Sequence, residues 1–118
     1  MPLTETDAGY LMDMLLAGRR VRRFVEGRSE EAFARDEMCR MAAERAFEVI
    51  GEAARLLSAE FRAVNAQLPF AKMIGLRNVI AHGYADVDHR RLYYVATMDV
   101  PEMIRILESL LPEGLQEA

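Results

Sequence analysis

The chain has 118 residues, with 15 basic against 19 acidic side chains and a formal net charge of -4. This length suits one domain with its own core, and a composition 52% hydrophobic and 29% charged excludes a disordered tail or a collagen-like segment. One cysteine, Cys39, excludes an intrachain disulfide and a thiolate metal site, which fits a reducing cytoplasm. The acidic balance argues against coating nucleic acid by bulk charge but permits a local site. The longest charge-free stretch, Ala63 to Ala71, is interrupted by Pro69 and too short to cross a bilayer, and no secretory leader is expected.

In chain order, Tyr10, Met14, Gly18, Val21 and Val25 share one stripe at helical spacing, with Asp13 and Arg20 opposite. They predict a first helix over Glu5 to Glu26, stopped by Gly27, and Ser29 is placed to cap a short turn through Glu30 to Phe33. A second long helix is expected from Asp36 to Leu57. Its seven-residue pattern is Ala42, Ala46, Val49, Ala53 and Leu56, widened by Cys39, Ile50 and Leu57, with Arg40, Glu44, Glu48 and Arg55 on the wet face. Gly51 falls on that polar side, at a cost of about 1 kcal/mol relative to alanine. Either close approach of another helix, such as one from a second copy, or tolerated drift accounts for it. Ser58 can cap a continuation or a restart over Ala59 to Val64.

Asn65 to Leu68 reads as a loop, and Pro69 suits the first turn of a third helix. That helix carries Phe70, Met73, Leu76 and Ile80 on one side and Ile74 and Val79 on its flanks. It is therefore expected to run through the middle of the bundle and to end at Gly83. Asp86 or Asp88 then caps a fourth helix through Leu92, Tyr93 and Val95, with His89 exposed in its first turn and Tyr93 and Tyr94 packing inward. Asp99 and Glu102 have capping-box spacing, with Pro101 between them, for a last helix to about Leu111. Pro112 and Gly114 release a short tail. No strand alternation persists, so the expectation is a single all-α domain over residues 1–118, an up-and-down bundle of four to five main helices.

Most catalytic kits are absent. Two histidines, His82 and His89, cannot build a Cys/His zinc site, and no glycine-rich phosphate loop or serine elbow occurs. No cofactor or metal is expected. Arg19, Arg20, Arg22 and Arg23 form the densest basic cluster, which reads as a solvated face partly offset by Asp13 and Glu26, or as a guide for RNA. The eight methionines read as core or interface filling.

What remains is Arg77-Asn78-Val79-Ile80-Ala81-His82-Gly83-Tyr84, at the end of the third helix. Asn78 and His82 are one turn apart, so Asn78 can orient the imidazole. Arg77 diverges by a third of a turn or more, at roughly 100° per residue. Two copies of this helix end across a two-fold axis would line one cleft with both residue types. Histidine can move the ribose 2′-hydroxyl proton or protonate the leaving oxygen, and arginine can hold the phosphate. A capping or packing pair is the competing reading of the same spacing.

The run Ile74-Gly75-Leu76-Arg77-Asn78-Val79-Ile80-Ala81-His82-Gly83-Tyr84 with Val87-Asp88 resembles the HepT-like toxins of the HEPN superfamily. The upstream Val49-Ile50-Gly51-Glu52-Ala53-Ala54-Arg55 and Leu68-Pro69-Phe70 resemble the same family, in the same order and spacing. The resemblance implies an α-helical, HEPN-like bundle that forms a homodimer and acts as a metal-independent endoribonuclease toxin in the cytoplasm. It further implies a minimal nucleotidyltransferase antitoxin as partner. Arg77 and His82 match the catalytic pair, Asn78 the supporting polar residue, and Tyr84 the tyrosine such antitoxins modify with AMP. An anionic adduct there would fill the cleft and repel RNA. The alternative is a non-catalytic subunit that binds nucleotide or the antitoxin.

Overall fold

The computed structural model describes residues 3–82 and 87–112, and every regular element among them is helical. Thr4 opens α1 (Glu5–Val25) by accepting from the Asp7 amide, and Gly27, at φ 72°, turns the chain after it. Ser29 caps α2 (Glu30–Arg35), and Asp36 caps α3 (Glu37–Leu56) through the Cys39 amide. Ser58 caps α4 (Ala59–Val64), so the segment after α3 is a restart. Each such cap is worth about 1 kcal/mol. Pro69 precedes α5 (Phe70–His82), and Asp88 caps α6 (His89–Tyr94). Gly83 and Asp86, the expected stop and alternative cap, lie outside the described residues.

The last helix departs from expectation. Asp99 accepts no capping bond; α6 instead runs through a π-helical stretch, Val95–Asp99, straight into α7 (Val100–Leu110). Asp99 pairs with Lys72 of α5 at 3.0 Å, while Glu102 pairs with Arg105 on its own helix, so neither is left to form the reciprocal box. Thr97 Oγ1 donates to the Tyr93 carbonyl within the widened turn.

α1 and α3 are antiparallel and form the centre. Ser58 meets Asp7 at one end, and the Cys39 thiol donates to the Phe24 carbonyl at the other. α7 packs on the outer side of α1, where a Cβ on Gly18 would stand 3.0 Å from Met103. α5 packs on the outer side of α3. The molecule is accordingly a slab of 44 × 30 × 19 Å.

Four expectations about packing change. α5 is an edge helix rather than a central one: Phe70, Met73, Leu76 and Ile80 are buried, but Val79 is 46% exposed and Ala71 and Asn78 face out. Its apolar character all round does not mean burial all round. On α3 the buried stripe runs through Cys39, Ala43, Ala46, Ile50 and Ala53, joined by Phe47 and Ala54, while Leu56 is 40% exposed. Phe47 pulls the stripe toward itself, because one buried phenyl ring outweighs the smaller Ala42 and Val49. Tyr93 packs against Phe33, with its hydroxyl donating to the Arg28 carbonyl, but Tyr94 is exposed and His89 half-buried.

Candidate active site at the end of α5

Gly51 decides where the site sits. A Cβ there would lie 2.2 Å from the Arg77 Cβ and 2.7 Å from the Met73 carbonyl oxygen. Only hydrogen fits in that gap, so α3 and α5 touch backbone to backbone. The glycine expected on a polar face is therefore buried, and the helix that approaches it belongs to the same chain. The helix-propensity cost of about 1 kcal/mol is offset by this contact.

The contact lays the Arg77 side chain along α3. Its Nη2 pairs with Glu52 Oε2 at 3.3 Å, and its Nη1 donates to Asn78 Oδ1 at 3.0 Å. The side chain is 32% exposed, enough to keep a guanidinium edge available to an anion. Glu52 is shared: Arg55 binds the same carboxylate at 2.6 Å. The Arg55 hydrogen bond, helped by the charges of Arg55 and Arg77, holds the Glu52 carboxyl below its ordinary value of 4.5. Glu52 thus stays ionised and keeps Arg77 in place across the neutral range.

His82 closes the last turn of α5 and is exposed. Its Nδ1 lies 2.5 Å from the Asn78 carbonyl oxygen. A carbonyl only accepts, so Nδ1 donates, and the lone pair of the neutral ring sits on Nε2. The Asn78 backbone carbonyl therefore orients the imidazole, while the side chain expected to do so serves Arg77 instead. Arg77 and His82 point about 140° apart around the helix, at roughly 100° per residue. Among the described residues, Arg77 bonds to Glu52 and Asn78 and not to His82. Tyr84 lies outside the described residues.

A groove of about 260 Å³ opens beside Arg77, between α1 and α3. Among the described residues no three His, Cys, Asp or Glu side chains gather to hold a metal ion, and no helix is long and apolar enough to cross a membrane. Of the basic cluster, Arg19 pairs with Glu108 of α7 at 3.0 Å, while Arg20, Arg22 and Arg23 are exposed. Glu52 is the partner of Arg77 that sequence reasoning missed. The costly glycine next to it was the available signal.

The sequence profile of the family described as "Ribonuclease HepT-like" matches residues 14–110. A protein of Methanocaldococcus jannaschii, provisionally named an RNase, is 33% identical over 99 residues, covering 84% of this chain and 91% of the relative. A protein of Thermococcus cleftensis, provisionally named ribonuclease HepT, is 30% identical over 101 residues, covering 86% and 92%. A third, from Caldanaerobacter subterraneus and also provisionally named an RNase, is 31% identical over 87 residues, covering 74% and 78%. No solved structure matches the chain.

Proposed function

Because the chain belongs to the HepT-like ribonuclease family, we propose that it is a metal-independent endoribonuclease toxin of the cytoplasm whose reaction is carried by Arg77 and His82. The observation that carries this reading is Asn78, which holds Arg77 by its side chain and His82 by its backbone carbonyl. A guanidinium and an imidazole with a defined tautomer are thereby fixed at one helix end.

The chemistry needs no protein nucleophile. His82 Nε2 takes the proton of a ribose 2′-hydroxyl, whose oxygen attacks the adjacent phosphorus. The 5′-oxygen leaves with a proton from the second copy's protonated imidazole, giving a 2′,3′-cyclic phosphate and a 5′-hydroxyl. Arg77 stabilises the charge that grows on the non-bridging oxygens. The divergence of Arg77 and His82 is met by a homodimer in which two helix ends face one cleft. The exposed outer side of α5, with Val79 and the half-buried Ile74, supplies apolar surface for that pairing.

Control falls to a minimal nucleotidyltransferase antitoxin that places AMP on Tyr84, two residues from His82. The test is expression with and without a nucleotidyltransferase encoded beside the gene. Growth arrest relieved by the enzyme, with relief lost in Tyr84→Phe, is expected. Arrest relieved equally in Tyr84→Phe would overturn the role of the tyrosine. Purified protein should leave 2′,3′-cyclic phosphate ends in EDTA; linear phosphate ends formed only with added metal would overturn the mechanism.

A further inference from the structure

The groove beside Arg77 has a floor and edges of different character. Tyr10 of α1 and Val49 and Leu56 of α3 give it apolar walls, and Leu56 is left 40% exposed there. Asp13, Glu48 and Arg45 stand around its rim. None of these three side chains has a hydrogen bond or ion pair to another described residue, although they border one groove. Glu52, by contrast, is already engaged by Arg55 and Arg77. The groove that Arg77 lines therefore offers two unspent carboxylates and one unspent guanidinium.

We propose that this groove is the seat of a guanine base beside the scissile phosphate, read by Glu48 and Asp13. The proposal rests on the ribonuclease reading above and adds a substrate preference to it. The three carboxylates that line the groove outnumber Arg45, so a phosphate is favoured at Arg77 over the rim. A neutral base edge has no such penalty. Unstacked bases of single-stranded RNA bind against aromatic and apolar side chains and are read along their hydrogen-bonding edges, and Tyr10 with Leu56 provides such a surface.

Ionised carboxylates only accept hydrogen bonds. Guanine presents two adjacent donors, N1–H and the N2 amino group, and so pairs with a carboxylate bidentately. Adenine and cytosine offer one amino donor beside an acceptor. Uracil places carbonyl oxygens on both sides of its single N3–H, and these are repelled by a carboxylate. Arg45 completes the match, because a guanidinium donates to guanine O6 and N7.

The experiment titrates the full chain with guanosine 3′-monophosphate and, separately, uridine 3′-monophosphate by calorimetry. Guanosine monophosphate is expected to bind about tenfold more tightly, the discrimination of one good bidentate contact. The double variant Asp13→Asn, Glu48→Gln should lose that ratio, with guanosine monophosphate bound more weakly and uridine monophosphate bound at least as well as before, while keeping the thermal midpoint of the wild type. Equal affinities for the two nucleotides, or a variant that weakens both alike, would overturn the proposal. RNA cleavage by the same preparation separates the two readings: cleavage without base preference sinks the groove alone, and preference without cleavage sinks the nuclease alone.

Discussion

Gly51 and Arg77 meet without space for a methyl group: a Cβ on Gly51 would stand 2.2 Å from the Arg77 Cβ. The hydrogen at position 51 thus sets the distance between α3 and α5, and with it the reach of Glu52 to the guanidinium. A residue with no side chain positions the candidate catalytic arginine.

Replacing Gly51 by alanine is expected to destabilise the fold by about 1–3 kcal/mol through overpacking. Helix propensity alone predicts the opposite sign, a gain of about 1 kcal/mol. Urea denaturation decides between them, and a more stable Gly51→Ala protein would show that the two helices part freely.

Asp7 is the one buried charged residue of the described core, at 5% exposure. It accepts from the Ser58 amide at 3.0 Å and from the Ser58 hydroxyl at 2.7 Å, locking the start of α1 to the α3–α4 junction. Asp7→Ala leaves that amide without its acceptor and should cost about 1–3 kcal/mol. In a double-mutant cycle Ser58→Ala should cost less on top of Asp7→Ala than it does alone, leaving only the roughly 1 kcal/mol of the lost α4 cap; fully additive losses would mean that the pair does not act as a unit.

The pH dependence follows from Glu52 and Asp36. Both carboxyls titrate below their ordinary values, Glu52 through Arg55 and Asp36 through the Cys39 amide and Arg28. In the window below those values the unfolded chain binds more protons than the folded one, so stability rises with pH there. The contribution is complete above the unfolded values of 4.5 and 3.8 and is lost as pH falls through the folded ones. Carboxyl NMR titration should show Glu52 moving upward in Arg55→Ala. An unmoved Glu52 would place the cause elsewhere.

Much of the local structure is legible in the sequence. The caps Ser29 and Ser58, and Asp88 as one of two candidates, are readable because each sits just before a helical pattern and bonds within its own first turn, whereas Asp36 reads as the first residue of its helix and proves to be its cap. Long-range choices are not legible. Asp99 had the local chemistry of a cap, but Lys72 lies 27 residues away and claimed it. Asp7 continues the stripe of Leu11, Met14 and Gly18, which was a signal for burial that its charge concealed. Arg77, Asn78 and His82 stood out as a motif, but spacing gave Asn78 to the imidazole and nothing to the arginine. The arginine that the Asn78 side chain meets is held by Glu52 of α3, and no local pattern carries that.

Under the proposed mechanism Arg77 and His82 cleave RNA without a metal ion. The most direct measurement is the single-turnover cleavage rate of RNA in EDTA for the wild type, Arg77→Ala and His82→Ala, with circular dichroism confirming unchanged helicity. Each variant should lose at least about 100-fold, the scale of removing one stabilising or proton-transferring group. A rate within twofold of wild type in either folded variant would contradict the account.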